Sequence, residues 1–123
     1  MAPVDRLSLG KTGEDIACRE LRRRGYEILT RRFRTRLGEL DIVARDGATI
    51  VFVEVKTRTN AKFGTPSEAV TALKQRKVCL MASDYLHRQG LYNRPCRFDV
   101  VAISIDEDGR RLVEVLRGAF DGR

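Results

Sequence analysis

The stretch GELDIVARDGATIVFVEVKTR, Gly38 to Arg58, decides the fold. It reads as two strands joined by a tight turn at Asp46-Gly47, the strongest short hairpin signal in the chain. Side chains alternate along a strand, so Ile50, Phe52, Glu54 and Lys56 share one face while Val51, Val53 and Val55 take the other. Both faces are apolar, which makes this strand a central one. With Asp46-Gly47 as a two-residue turn, Arg45 pairs with Ala48, Asp41 falls opposite Phe52 and Glu39 opposite Glu54. Asp41 is then diagonal to Glu54, about 7 to 8 Å away between Cα atoms. Glu39, Asp41 and Glu54 thus gather on one face with Lys56, with Glu39 either an outer acid of this group or turned outward at a bulge. Like charges opposed on a sheet are destabilising, and Lys56 alone does not balance three carboxylates; a divalent cation does. The other reading of the trio is a solvent-facing salt-bridge cluster at a sheet end.

Working outward, a helical pattern runs from about Lys11 to Arg24, where Gly25 ends it as a C-terminal glycine does. Glu14 lies at the centre of the stripe made by Ala17, Cys18 and Leu21, the face that packs on the sheet, while Asp15, Arg19, Arg22 and Arg23 take the opposite arc. A buried carboxylate in the first turn gains from the helix N-terminus, which is the simpler account of Glu14. Gly10 and Gly13 beside it allow a close backbone approach. Strands are expected at Tyr26–Arg34, Leu37–Arg45, Thr49–Thr57, Phe98–Ile105 and Arg111–Leu116. Between the third and fourth, Thr65-Pro66-Ser67-Glu68 signals a helix start, with spacing that continues to Gly90 and a break near Thr71 to Lys74. A helical connection makes those two strands parallel, with a right-handed crossover. The expected fold is therefore α/β, with a mixed five-stranded sheet (antiparallel meander, helical crossover, parallel strand) flanked by helices. Residues 1–9 read as a flexible lead-in, 10–118 as one domain and 119–123 as a tail.

A chain of 123 residues suits one core. No apolar run approaches the roughly 20 residues of a membrane helix and no signal-peptide pattern opens the chain, so no membrane association and a cytoplasmic location are expected. Cys18, Cys79 and Cys96 are odd in number, far apart and embedded in apolar patterns, which excludes a disulfide framework and a zinc knuckle and predicts buried thiols. His87 is the only histidine, so metal ligands, if any, are oxygens. The net charge is +7, and the segment Arg19–Arg36, with eight arginines against Glu20 and Glu27, holds most of it. Guanidinium forks match phosphate, and phosphate contacts are expected at Arg31, Arg32, Arg34, Arg36, Arg58 and Lys74. For Arg22 to Arg24 a solvated helix face serves equally well. Lys74 shares the stripe of Val78, Met81 and Tyr85, so it faces the sheet or the site, and Asp99 is expected to pair with an arginine in support of the fold.

The acids Glu14, Asp41 and Glu54 with Lys56, in this order of elements, resemble the restriction-endonuclease-like nuclease fold, close in layout to archaeal Holliday-junction resolvases. More specifically, GKTGEDIA (10–17), GELDIVA (38–44), VFVEVKTR (51–58), FGTPSEAV (63–70) and RFDVV (97–101) together resemble the YraN-like family of small uncharacterised bacterial proteins, over nearly the whole chain. What the resemblance implies is a Mg2+ or Mn2+ ion held by Asp41, Glu54 and the carbonyl of Val55, with Lys56 preparing the attacking water and Glu14 completing the site. It further implies a homodimer acting on structured or branched DNA rather than RNA. A nucleic-acid-binding module on the same scaffold, with little or no hydrolysis, is the competing expectation.

Overall fold

A computed structural model of the chain describes residues 6–58 and 71–120, with side chains from residue 12 onward. The elements are α1 (Arg6–Arg23), β1 (Glu27–Thr35), β2 (Gly38–Asp46), β3 (Thr49–Arg58), α2 (Ala72–Arg88), β4 (Cys96–Ile105) and β5 (Arg111–Phe120). The sheet is ordered β1-β2-β3-β4-β5, antiparallel except for the parallel pair β3–β4, as the helical connection requires. The architecture is the mixed five-stranded α/β layout expected from the pattern. Element ends differ: α1 begins at Arg6 rather than Lys11, and β5 continues to Phe120, whose ring stacks on Phe98 at 4.9 Å. The Thr65–Glu68 helix start lies outside the described residues; α2 begins where the pattern breaks, with Thr71 as N-cap accepting from the Lys74 N–H.

The doubly apolar β3 sits in the middle because each face meets a helix. On one face Ala17, Cys18 and Leu21 of α1 pack on Ile42, Ala44, Val51 and Val53. On the other, Val78, Met81, Ala82 and Tyr85 of α2 pack on Val43, Ile50, Phe52 and Phe98. The C-terminus of α1 closes as Gly25 predicts, with the Tyr26 N–H bonded to the Leu21 carbonyl at 2.9 Å. Gly13 lets α1 approach β3, since a Cβ there would stand 2.1 Å from the Thr57 hydroxyl oxygen. That contact brings Glu14, the next residue, to the end of the β3 strand.

Asp99 is fully buried, and Arg97 balances it through Nε at 2.9 Å, as expected of an arginine partner. Tyr26 and the Gly118 N–H complete its hydrogen bonding. Of the cysteines only Cys18 is buried; Cys79 is half-buried and Cys96 exposed. The expectation of three buried thiols is corrected, because Cys96 opens β4 at the sheet margin, where the apolar pattern no longer implies cover.

Candidate functional site

The hairpin turn is one residue later than its Asp-Gly signal suggests. Gly47, with φ of +60°, and Ala48 form the turn, so Asp46 pairs with Thr49 and Ile42 with Val53. This register slides Asp41 from a position opposite Phe52 to one beyond the last recorded pair, level with Glu54. There its Oδ2 accepts the Val55 N–H at 2.8 Å. A side chain stands where a backbone carbonyl would continue the ladder, and the two strands separate around it.

At Asp41 the strand also turns over. Leu40 belongs to the core under α2 and Ile42 to the core under α1, although residues two apart on a regular strand share a face. The neighbouring β1 is irregular at the same level. Arg32, between the pairs Arg31–Ile42 and Phe33–Leu40, has φ of +55°. For a non-glycine residue this left-handed conformation costs on the order of 1 kcal/mol or more. The consequence corrects the sequence reading: Glu39 does not share the face of Glu54 but turns toward α1.

Three carboxylates consequently converge from separate elements, with one oxygen each of Glu14, Glu39 and Asp41 lying within 4.8 Å of one another. Glu14 is 6% exposed. Two nitrogens of the Arg32 guanidinium, Nε and one terminal nitrogen, grip its Oε2 at 2.7 Å. Its Oε1 is buried and has no hydrogen-bond partner among the described residues. An unsatisfied buried carboxylate oxygen costs free energy, so a ligand is the natural completion. On the other side of Asp41, buried Glu54 is held by Lys74 at 3.0 Å and approached by Lys56 at 3.7 Å. Lys74 therefore faces the site. Burial works against its charge, but Glu54 outweighs that and holds the ammonium above its ordinary value.

The β1 arginines that the sequence assigns to phosphate are engaged in this structure. Arg31 pairs with Asp15 at 2.7 Å, Arg32 with Glu14, and Arg34 with Glu39 at 2.5 Å. Arg36 is exposed next to them, and Arg58 is half-buried at the end of β3. Three of the four site acids are thus ion-paired, Glu14 by Arg32, Glu39 by Arg34 and Glu54 by Lys74 and Lys56, whereas charge counting on the hairpin alone found only Lys56. Burial, and then the neighbouring Glu54 carboxylate, push Asp41 up to about 7. A cleft of about 690 Å³ beside α2, lined by Cys79, His87, Tyr92, Cys96 and Phe120 among others, includes none of these acids.

The raised value of Asp41 sets a pH dependence. Between its ordinary value near 3.8 and about 7, the folded state keeps a proton that the unfolded chain has lost. Raising the pH through this window therefore removes stability. Asp41→Asn, which can still accept the Val55 N–H, should not lose stability there. The comparison is urea denaturation of both proteins from pH 4 to pH 8 without divalent ions. Parallel pH profiles would show that the Asp41 proton does not set this dependence.

The family model described as "Uncharacterised protein family UPF0102" matches residues 13–103, which include all four site acids. Among curated proteins, a UPF0102 protein of Symbiobacterium thermophilum is 48% identical over 91% of this chain and 95% of its own length. One of Caldicellulosiruptor saccharolyticus is 46% identical over 95% of this chain and the whole of its own. Among solved structures, SfsA of Pyrococcus furiosus in complex with Ca2+ aligns with a TM-score of 0.44 at 14% identity, over 94% of this chain and 65% of that one. That likeness is too loose to carry an argument about this chain. No helix among the described residues is long and apolar enough to cross a membrane.

Proposed function

The chain belongs to the uncharacterised protein family UPF0102, and we propose that it is a divalent-metal-dependent nuclease hydrolysing phosphodiester bonds in structured or branched DNA. The observation that carries this reading is the buried, unpartnered Oε1 of Glu14 beside Glu39 and Asp41. An all-oxygen, carboxylate-rich donor set suits Mg2+ or Mn2+. Asp41 is the central ligand in this reading, with Glu14 and Glu39 on one side of it and Glu54 and Val55 on the other. When bound, the ion would neutralise a phosphate and acidify a water for in-line attack.

The chain's own residues do the remaining work. The Asp41–Val55 hydrogen bond fixes the splayed strands, so the carboxylates are held before any ligand arrives. Lys74 anchors Glu54. Lys56, part-exposed and not in hydrogen-bonding contact with Glu54 at 3.7 Å, keeps an ammonium available to orient the attacking water and stabilise developing negative charge.

The competing reading, a nucleic-acid-binding module with little or no hydrolysis, draws on the ion pairing of three of the four acids, which a purely structural cluster would also show. A time course on junction, flap, single-stranded and RNA substrates with Mg2+ or Mn2+ separates the two. The nuclease reading expects cleavage of branched DNA that stops when the ions are chelated. Binding without cleavage across the panel would favour the module.

A further inference from the structure

The β1 arginines lie between two demands, the acids they now hold and the phosphates that a nuclease must bind. Arg32 grips one oxygen of Glu14 from a left-handed backbone, and Arg34 grips Glu39; both acids belong to the converging trio. Their side chains are nevertheless 43% and 72% exposed, at the edge strand of the sheet, so they border solvent at the mouth of the carboxylate cluster. An ion that draws on Glu14 and Glu39 competes with these arginines for the same oxygens. The geometry points to a masked phosphate clamp: Arg32 and Arg34 are the DNA-backbone contacts of the site, held back by Glu14 and Glu39 until a divalent cation occupies those carboxylates.

This rests on the metal site proposed above and adds that metal binding and DNA binding are thermodynamically coupled. Whatever releases the arginines must strengthen DNA binding, and by reciprocity DNA must strengthen metal binding. Neutralising Glu14 should therefore imitate the ion. Arginine–phosphate pairing is bidentate and charge-assisted, so the released groups have a strong alternative partner.

The test is binding, not cleavage, measured by fluorescence anisotropy on a labelled DNA junction at fixed ionic strength, with chelator or with Ca2+. Wild type should bind at least about fivefold tighter with Ca2+, the lower end of ordinary coupling. Glu14→Gln should gain a comparable factor without any ion and respond less to Ca2+. The control is Glu20→Gln, which makes the same charge change elsewhere on α1, where Glu20 pairs with Arg23 and Arg24 and not with the β1 arginines. It should change affinity less than about twofold, as a general charge effect. Arg32→Gln should respond less to Ca2+ than wild type, keeping only the part carried by Arg34. Glu39→Gln, at a more exposed pair, gives the same test through Arg34 should Glu14→Gln fail to fold. If the Gln variants at Glu14 and Glu39 bind ion-free DNA no better than Glu20→Gln, the clamp is not masked and the inference falls. Cleavage and metal-induced stabilisation would be untouched by that result, so the nuclease reading stands or falls separately.

Discussion

Replacing Lys56 with alanine is expected to lower DNA cleavage by at least about 100-fold, the usual contribution of a group that handles a proton or charge in the transition state, while DNA affinity changes by no more than about threefold. The reasoning starts from position. Lys56 lies on β3 two residues beyond Glu54, and its ammonium stands 3.7 Å from a carboxylate that already has a closer partner in Lys74. Removing it therefore breaks no short ion pair and leaves Glu54 held. An interaction made only in the transition state lowers the rate without weakening binding. Lys74→Ala should behave differently, since it strips buried Glu54 of its 3.0 Å partner and costs stability as well as rate. Single-turnover cleavage and anisotropy on the same purified variants check both statements. A Lys56→Ala protein that cuts like wild type would remove Lys56 from the chemistry.

The order of elements was legible because it depends on local pattern. Two apolar faces on Ile50–Val55 make β3 central, and the helical connection makes β4 its parallel neighbour, as observed. Glu14 was legible for the same reason, since helical periodicity alone puts it on the stripe of Ala17, Cys18 and Leu21, all buried. What the pattern could not carry was departure from regularity. Alternation put Glu39 and Asp41 on one face unless a bulge turned Glu39 away; the strand does turn over, at Asp41 opposite the left-handed Arg32, and the residue types there do not fix the place. The turn shifted for a related reason. Asp-Gly can serve as the two turn residues, or Gly can open the turn with Asp still paired, and the choice lies in the register of the whole hairpin. The pairing of Arg32 and Arg34 with acids was likewise hidden, because Glu14 is 18 residues from Arg32 in sequence and only the fold brings them together. Sequence alone read those arginines as available cations.

The account stands on one claim, that the carboxylates around Asp41 hold a divalent cation, and thermal unfolding across a Mn2+ titration tests it most directly. A ligand that binds only the folded state stabilises by mass action, by about 2.7 kcal/mol at a hundredfold excess over its dissociation constant. For a domain of this size that corresponds to roughly 10 °C in Tm. Asp41 is the residue to remove. It borders both Glu14 with Glu39 and, on the neighbouring strand, Glu54, and burial disfavours its charge in the absence of an ion. Asp41→Asn keeps the shape and an acceptor for the Val55 N–H, so its metal-free Tm at pH 8 should be no lower than wild type. The predicted result is a wild-type Tm that climbs with the logarithm of Mn2+ concentration and an Asp41→Asn Tm that does not move; a wild-type Tm unchanged through millimolar Mn2+, or an equal rise in both proteins, would contradict the metal site.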